Sequence, residues 1–219
     1  MRQTKQPIKH VLLSDTHGQN HLLQDLPAGD VIIHCGDSLR YGSRDELREF
    51  ADIFGALNYK HKILIAGNHD ACFAVHPEEA RHIVASRKIV YLEDSGIEIN
   101  GLRYWGFPWT PVYGDWAFMG HEDFLEDKWR DVPNIDVLVT HGPPQYILDD
   151  GAGSIAHADV GISDVKLNAF GHIHDGHGSQ VKDGTIYVNC ALLDGNYAPA
   201  YQPIVVDLFT NYLGSSLPL

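Results

Sequence analysis

Two observations predict an α/β fold built from two packed β-sheets flanked by helices. Short β-forming runs alternate with helical patterns through the first part of the chain, and a hairpin-rich stretch follows before the alternation resumes. A chain of 219 residues with 44% hydrophobic residues can bury a sizeable core. No Pro/Gly/Ser linker or shift of composition divides it, so residues 1–219 read as a single domain.

The elements follow in order. Val11-Leu12-Leu13 is the first strand, and Gln19 to Asp25 is expected as a short helix ending before Pro27. Val31-Ile32-Ile33 is the second strand. Ser43 to Leu57 is the clearest helix: Ser43 is an N-cap with Glu46 three residues on, and Leu47, Phe50, Ala51 and Phe54 recur at helical spacing. Lys62 to Ile65 is the third strand. Pro77 to Arg87 opens on a proline and two glutamates and ends on basic residues, as helix polarity favours. Ile89 to Leu92, Gly96 to Ile99 and Leu102 to Phe107 read as strands, the last two joined by an Asn100-Gly101 turn. Glu122 to Trp129 is a short helix, Val137-Leu138-Val139 a strand, and a helix is expected around Ile162 to Leu167. Ala169-Phe170 is a weak strand, and Ile186 to Asn189 and Ile204 to Leu208 are two further ones.

Composition narrows the function classes. With 16 basic against 29 acidic residues the formal charge is −13, which opposes binding to a polyanion, and no Arg/Lys cluster overrides it. Nucleic acid is therefore not an expected partner. Cys35, Cys72 and Cys190 have no Cys-x-x-Cys spacing and are expected as free buried thiols. No apolar run approaches the roughly 20 residues of a membrane span, and Met1 to Pro7 is not a signal peptide, so a cytoplasmic setting is expected.

The chemistry is carried by five short clusters, each placed where a β-forming run gives way to a loop: Asp15-Thr16-His17, Gly36-Asp37, Gly67-Asn68-His69-Asp70, Thr140-His141-Gly142 and Gly171-His172-Ile173-His174. Open α/β sheets bind ligands at such strand ends. Each cluster alone has an ordinary structural explanation, such as a helix cap at Asp15 or an Asx turn at Asp37 or Asn68. The ordered series of Asp, His and Asn is a nearly complete ligand set for two adjacent divalent cations.

That order, DxH, GDx, GNH(D/E), H, GHxH, resembles the calcineurin-like metallophosphoesterase superfamily over roughly Lys9 to Asn189. The stretch Gly106 through Phe118 and Thr140-His141-Gly142-Pro143-Pro144 look like its metallophosphoesterase-domain-containing group. The resemblance implies a four-layer αββα sandwich and a two-metal centre. Carried over block by block, Asp15, His17 and His174 would hold one metal, Asn68, His141 and His172 the other, and Asp37 would bridge them. It makes His69 a phosphate-contacting acid, with Asn68 also facing substrate, and Asp70 a candidate to orient His69 by ion pairing. Some animal members of that group carry glycine at the first GHxH histidine; His172 is present here.

Such chemistry suits phosphate-ester hydrolysis, in which two metals about 3.5–4 Å apart acidify a water and neutralise the phosphoryl oxygens. The thiolate-free ligand set fits Mn, Fe, Zn, Co or Ni, and the resemblance favours Mn. The expected activity is a phosphodiesterase on small phosphodiesters, with 2′,3′- or 3′,5′-cyclic nucleotides in view. A phosphomonoesterase is the nearest rival; a nuclease or a non-enzymatic scaffold lies further off. A homodimer is compatible with the sequence. Of the aromatic residues Phe107, Trp109, Tyr113, Trp116 and Phe118, Trp109 is the one expected to stack on a base. The glycine-rich segment from Tyr146 to Val160 reads as a loop able to act as a lid. The remaining histidines read as surface or packing residues, except that His177, with Asp175, follows the last ligand pair closely enough to support it.

Overall fold

The computed structural model describes residues 6–160 and 164–210. It contains two main sheets. The first has the order β13-β1-β2-β3-β4, formed by Ile204–Leu208, Ile8–Leu13, Val31–His34, His61–Leu64 and Val90–Tyr91. The second has the order β11-β12-β10-β9-β6-β5, formed by Gly178–Lys182, Thr185–Asn189, Leu167–Phe170, Val137–Thr140, Leu102–Phe107 and Ser95–Ile99. The strand pairs β1-β2, β2-β3, β6-β9, β9-β10 and β10-β12 are all parallel, whereas β13, β11 and β5 pair antiparallel with their neighbours. A small ladder of β7 (Thr110–Pro111) and β8 (Met119–Gly120) lies between β6 and β9 in sequence.

Side-chain alternation along each strand builds the layers. Leu12, Val31, Ile33 and Ile63 meet Tyr104, Val137, Val139 and Leu167 between the sheets, while Val11, Leu13, Ile32 and Leu64 face outward. The outward set packs on α1 (Arg44–Ala56) through Leu47, Phe50, Ala51 and Phe54, and on α3 (Pro77–Ala85) through Ala80, Ile83 and Val84. Fully burying each such Leu or Phe contributes about 1.5–3 kcal/mol. On the other side Phe107 and Leu138 pack on Leu125 and Trp129 of α4 (Glu122–Trp129) and Ala156 of α5 (Ile155–Asp159). The result is the expected four-layer αββα sandwich. His10 spans the inter-sheet core, its Nε2 2.6 Å from the Tyr104 hydroxyl.

Ser43 caps α1 in a reciprocal pair with Glu46, as its sequence predicts. Asn100 and Gly101 both have positive φ, 52° and 80°, the conformation a two-residue hairpin turn requires. Some expectations differ. The helix expected over Gln19 to Asp25 is only a 3₁₀ turn, Asn20–Leu23, and Asp25 leaves it at φ 54°. The helix expected around Ile162 to Leu167 falls partly outside the described residues; its described part, from Asp164, is not helical, Leu167 opens the buried strand β10, and a short helix, α5, lies before it. Residues 161–163 lie outside the described part. Strand β11, with little apolar content, has no clear signal in the sequence; it pairs with β12 across Asp183-Gly184, both at positive φ. The short helix α2 (Cys72–Val75) is likewise an addition to the expected elements. The segment 146–160 is not a loose loop: Asp149 Oδ2 accepts from Tyr146 N and Gly153 N, and Glu122 accepts from Ile155 N and Ala156 N at the start of α5. All three cysteines are free and buried. Among the described residues no helix is long and apolar enough to cross a membrane.

Candidate metal centre

The five clusters converge at the carboxyl ends of β1, β2, β3, β9 and β10, all members of the parallel pairs. Asp15, Asp37, Asn68 and His141 are buried and His17 is 4% exposed, so their polar atoms depend on one another. Four candidate ligands, Asp15, His17, Asp37 and His172, have positive φ of 56°, 43°, 53° and 66°. Left-handed backbone at non-glycine residues costs about 1 kcal/mol or more each and persists where surrounding structure imposes it. The glycines beside them act mainly through close approach. A Cβ on Gly171 would come within 2.0 Å of Asp15 Oδ2, and one on Gly36, itself at φ +96°, within 2.6 Å of His141 Nδ1.

Asp15, His17 and His174 present ligand atoms within 4.8 Å of one another, as do Asp37, His141 and His172. In the first group His174 Nε2 lies 3.4 Å from Asp15 Oδ1 and 3.3 Å from His17 Nε2. In the second, His141 Nε2 lies 3.0 Å from Asn68 Oδ1 and 3.4 Å from Asp37 Oδ1. The other Asp37 oxygen faces the first group, 3.6 Å from His17 Nε2. One carboxylate therefore addresses both groups. Backbone groups fix these rings and carboxylates: His141 Nδ1 is 2.9 Å from Cys35 O, His174 Nδ1 2.9 Å from Asp194 O, and His69 Nδ1 3.0 Å from Arg40 O. An Nδ1–H donated to a carbonyl leaves Nε2 free to face the centre. His172 N donates to Asp15 Oδ2 and His69 N to Asp37 Oδ1.

Burial opposes charge on Asp15, yet His174, which approaches it closely, and the neighbouring His141 and His17 hold its carboxyl well below the usual carboxylate range. Burial is likewise outweighed at Asp37, where His141 and His17 hold the carboxyl low. The carboxylates act reciprocally: against burial, Asp37 raises His141 to about 10 and Asp15 raises His174 to about 9. Burial prevails at His17 and His172, lowering each to about 4. The centre is thus built to concentrate positive charge on two carboxylates. Divalent cations fit the donor set: Asp15 Oδ1 is buried without a hydrogen bond, and all the converging atoms are oxygen or imidazole nitrogen.

Two expected roles are corrected. Asp70 does not hydrogen-bond the His69 ring; it accepts from Gly67 N at 2.8 Å, Leu39 N at 2.9 Å, Ser38 Oγ at 3.0 Å and Ser38 N at 3.3 Å. The two neighbours are committed to different partners, Asp70 joining the Asp37 loop to the Asn68 loop while His69 Nδ1 meets the Arg40 carbonyl. Burial, then the charge of Asp37, push its carboxyl up to about 6. Trp109 is not a free platform. Its Nε1 donates to Asp94 Oδ2 at 3.0 Å, Lys128 Nζ lies 4.5 Å above its ring, and the Phe118 and Phe124 rings lie 5.4 and 5.1 Å away at steep angles to it. The aromatic ring on His69 is Trp116, stacked at 4.4 Å. Tyr113 lies 5.9 Å from His172, and Tyr197 4.8 Å from His17 and 5.1 Å from His174. Tyr113 and Trp116 belong to the aromatic run; nothing in the sequence singles out Tyr197. Asp175 Oδ1 accepts from Gly195 N, which steadies the loop whose Asp194 carbonyl holds His174. His177 bonds the Ala191 carbonyl and stacks on Tyr201.

The family model for the calcineurin-like phosphoesterase superfamily domain matches residues 8–194. The chain belongs to this superfamily. It is 33% identical over 233 residues to human metallophosphoesterase domain-containing protein 1, covering 92% of this chain and 71% of that protein. It is also 33% identical over 227 residues to the Caenorhabditis elegans UPF0046 protein C25E10.12, covering 92% of this chain and 81% of that one. Among solved structures, TT1561 of Thermus thermophilus aligns with a TM-score of 0.64 at 15% identity, over 84% of this chain and 88% of its own. Phosphopantetheinyl hydrolase from Mycobacterium tuberculosis aligns with a TM-score of 0.60 at 12% identity, over 88% and 92%. At those identities the structures speak for the fold. As a calcineurin-like phosphoesterase of the metallophosphoesterase-domain-containing group, the chain is a metal-dependent hydrolase of phosphoric esters.

Proposed function

We propose that this phosphoesterase is a dinuclear phosphodiesterase of small phosphodiesters, with 2′,3′- or 3′,5′-cyclic nucleotides as its substrate class. The observation that carries the reading is Asp37, whose two oxygens face His17 on one side and His141 on the other. Asp15, His17 and His174 would hold one divalent ion, Asn68, His141 and His172 the other, and Asp37 both. When bound, such a pair supplies an acidified water and neutralises charge on the phosphoryl oxygens.

The chain's own residues do the rest. The carbonyls of Cys35 and Asp194 keep His141 and His174 turned inward, so that no ligand swings out as charge develops. His69, anchored at Nδ1 by the Arg40 carbonyl, has only Nε2 to offer, and its ring stands edge-on to His17 at 4.6 Å. Protonated, it donates from Nε2 to a phosphoryl or leaving oxygen. A singly charged diester suits the rim better than a dianionic monoester. The rings flanking the ligands there are Tyr113, Trp116 and Tyr197, and the Arg40 guanidinium lies over Tyr41, 5.2 Å from its centroid.

Hydrolysis of bis-p-nitrophenyl phosphate beside p-nitrophenyl phosphate, with and without Mn²⁺, tests the proposal. Metal-dependent preference for the diester is expected. Preference for the monoester would replace it with a phosphomonoesterase on the same core, and a panel of cyclic and linear nucleotides would then identify the ester.

A further inference from the structure

Three large aromatic side chains around the metal centre are left unexplained by packing. Tyr113 is 65% exposed, Trp116 48% and Tyr197 49%, and none of them belongs to the buried core clusters. Each nevertheless touches the centre: Tyr113 at His172, Trp116 at His69, and Tyr197 at both His17 and His174. They come from two unrelated segments, the connection between β7 and β8 and the loop between β12 and β13. Tyr113 meets a ring of the second ligand group, His172, and Tyr197 meets two rings of the first, His17 and His174, so the two tyrosines attend different ligand groups.

We infer that Tyr113, Trp116 and Tyr197 form an aromatic cuff that grips a planar heteroaromatic base carried on the side of the ester opposite the leaving group, and so determine its specificity. Exposed aromatic surface offers a stacking face to any flat ring and nothing comparable to an alkyl chain. The placement makes that contact productive, because a ring held over these histidines carries its phosphate into the space between the ligand groups. Trp109, engaged with Asp94 and Lys128, is excluded from the cuff. The inference rests on the phosphoesterase reading of the same centre but not on diester preference.

The test compares thymidine 5′-(p-nitrophenyl phosphate) with methyl p-nitrophenyl phosphate, two diesters with one leaving group and one readout, in the presence of Mn²⁺. Trp116→Ala is expected to lower the nucleoside-to-methyl ratio of kcat/KM by roughly 5- to 150-fold, the range for loss of one stacked base. Trp116→Phe should recover much of the ratio, the Tyr113→Ala/Tyr197→Ala pair should lower it, and Trp109→Phe should leave it as in the wild type. A binding arm is independent of turnover: calorimetric affinity for thymidine 5′-monophosphate relative to methyl phosphate should fall in the same variants. Folded variants in which both esters slow in proportion, or in which the ratio is unchanged, would overturn the cuff. If the wild type cleaves neither diester, the diesterase reading fails, and the binding arm still decides the cuff: an unaltered affinity ratio rejects it.

Discussion

Replacing Asp70 by alanine separates two ideas about the Gly-Asn-His-Asp cluster. If Asp70 served only to polarise His69, its loss would slow chemistry and spare the fold. The structure instead has it accepting from three buried backbone amides, those of Gly67, Leu39 and Ser38, and from the Ser38 hydroxyl. Each amide left unsatisfied costs about 1–3 kcal/mol, and releasing a buried carboxylate returns part of that, so a net destabilisation of about 3–5 kcal/mol is expected. For a chain of this size 1 kcal/mol moves Tm by about 2–4 °C, which gives a fall of about 6–20 °C. Because Asp70 also ties the Asp37 loop to the Asn68 loop, metal content should fall with it. Asp70→Asn keeps one acceptor oxygen and should lose less. Scanning calorimetry and elemental analysis on the three proteins provide the measurement. An Asp70→Ala protein with Tm within about 1 °C of wild type and full metal content would refute the reasoning and return Asp70 to a role through His69.

Asp37→Ala removes the carboxylate shared by both ligand groups, so bound metal should fall from about two per chain and turnover should vanish. Cys35→Ser should leave metal content unchanged, and full activity in Asp37→Ala would sink the dinuclear reading. His69→Asn should keep its metals yet slow a cyclic nucleotide, whose alkoxide leaves poorly, on the order of 10²–10⁴-fold more than a p-nitrophenyl ester. Equal slowing of both would make His69 an electrostatic stabiliser. His157 stacks on Trp129 at 4.5 Å, and burial lowers its pKa from 6.5 to about 3. Between those values the unfolded chain binds a proton that the folded one excludes, so stability falls as pH drops through that window, by at most about 1.4 kcal/mol per pH unit for this group. His157→Phe keeps a ring on Trp129 with nothing to titrate and should show a shallower acid slope in urea unfolding; parallel slopes would contradict the assignment.

Much of the fold is legible in the sequence because local signals and tertiary demands agree. Ser43 and Glu46 cap a helix whose apolar residues at helical spacing are the ones its packing face buries, and Asn100-Gly101 adopts the positive φ its hairpin needs. The ligand set is legible for a different reason. Each ligand sits within about one turn of chain after a strand end, and parallel strands deliver their carboxyl ends to one edge whatever fills the loops between them. Strand β11 escapes such a reading because an exposed edge carries few apolar residues, and Leu167 reads as a helix end rather than as the start of β10 because a short apolar run fits either period.

Side-chain partnership is decided only by tertiary structure. Asp70 and His69 are adjacent in sequence, yet one bonds the inner loops and the other the Arg40 carbonyl. Trp109 and Trp116 lie seven positions apart in one aromatic run, and which of them meets the centre depends on Asp94 and Lys128, residues that capture the first. Tyr197 reaches His17 and His174 from a loop with no motif of its own. Residue order along the chain specifies which donors a metal centre can draw on; the direction each side chain takes depends on contacts between segments far apart in sequence, and periodicity carries no record of them.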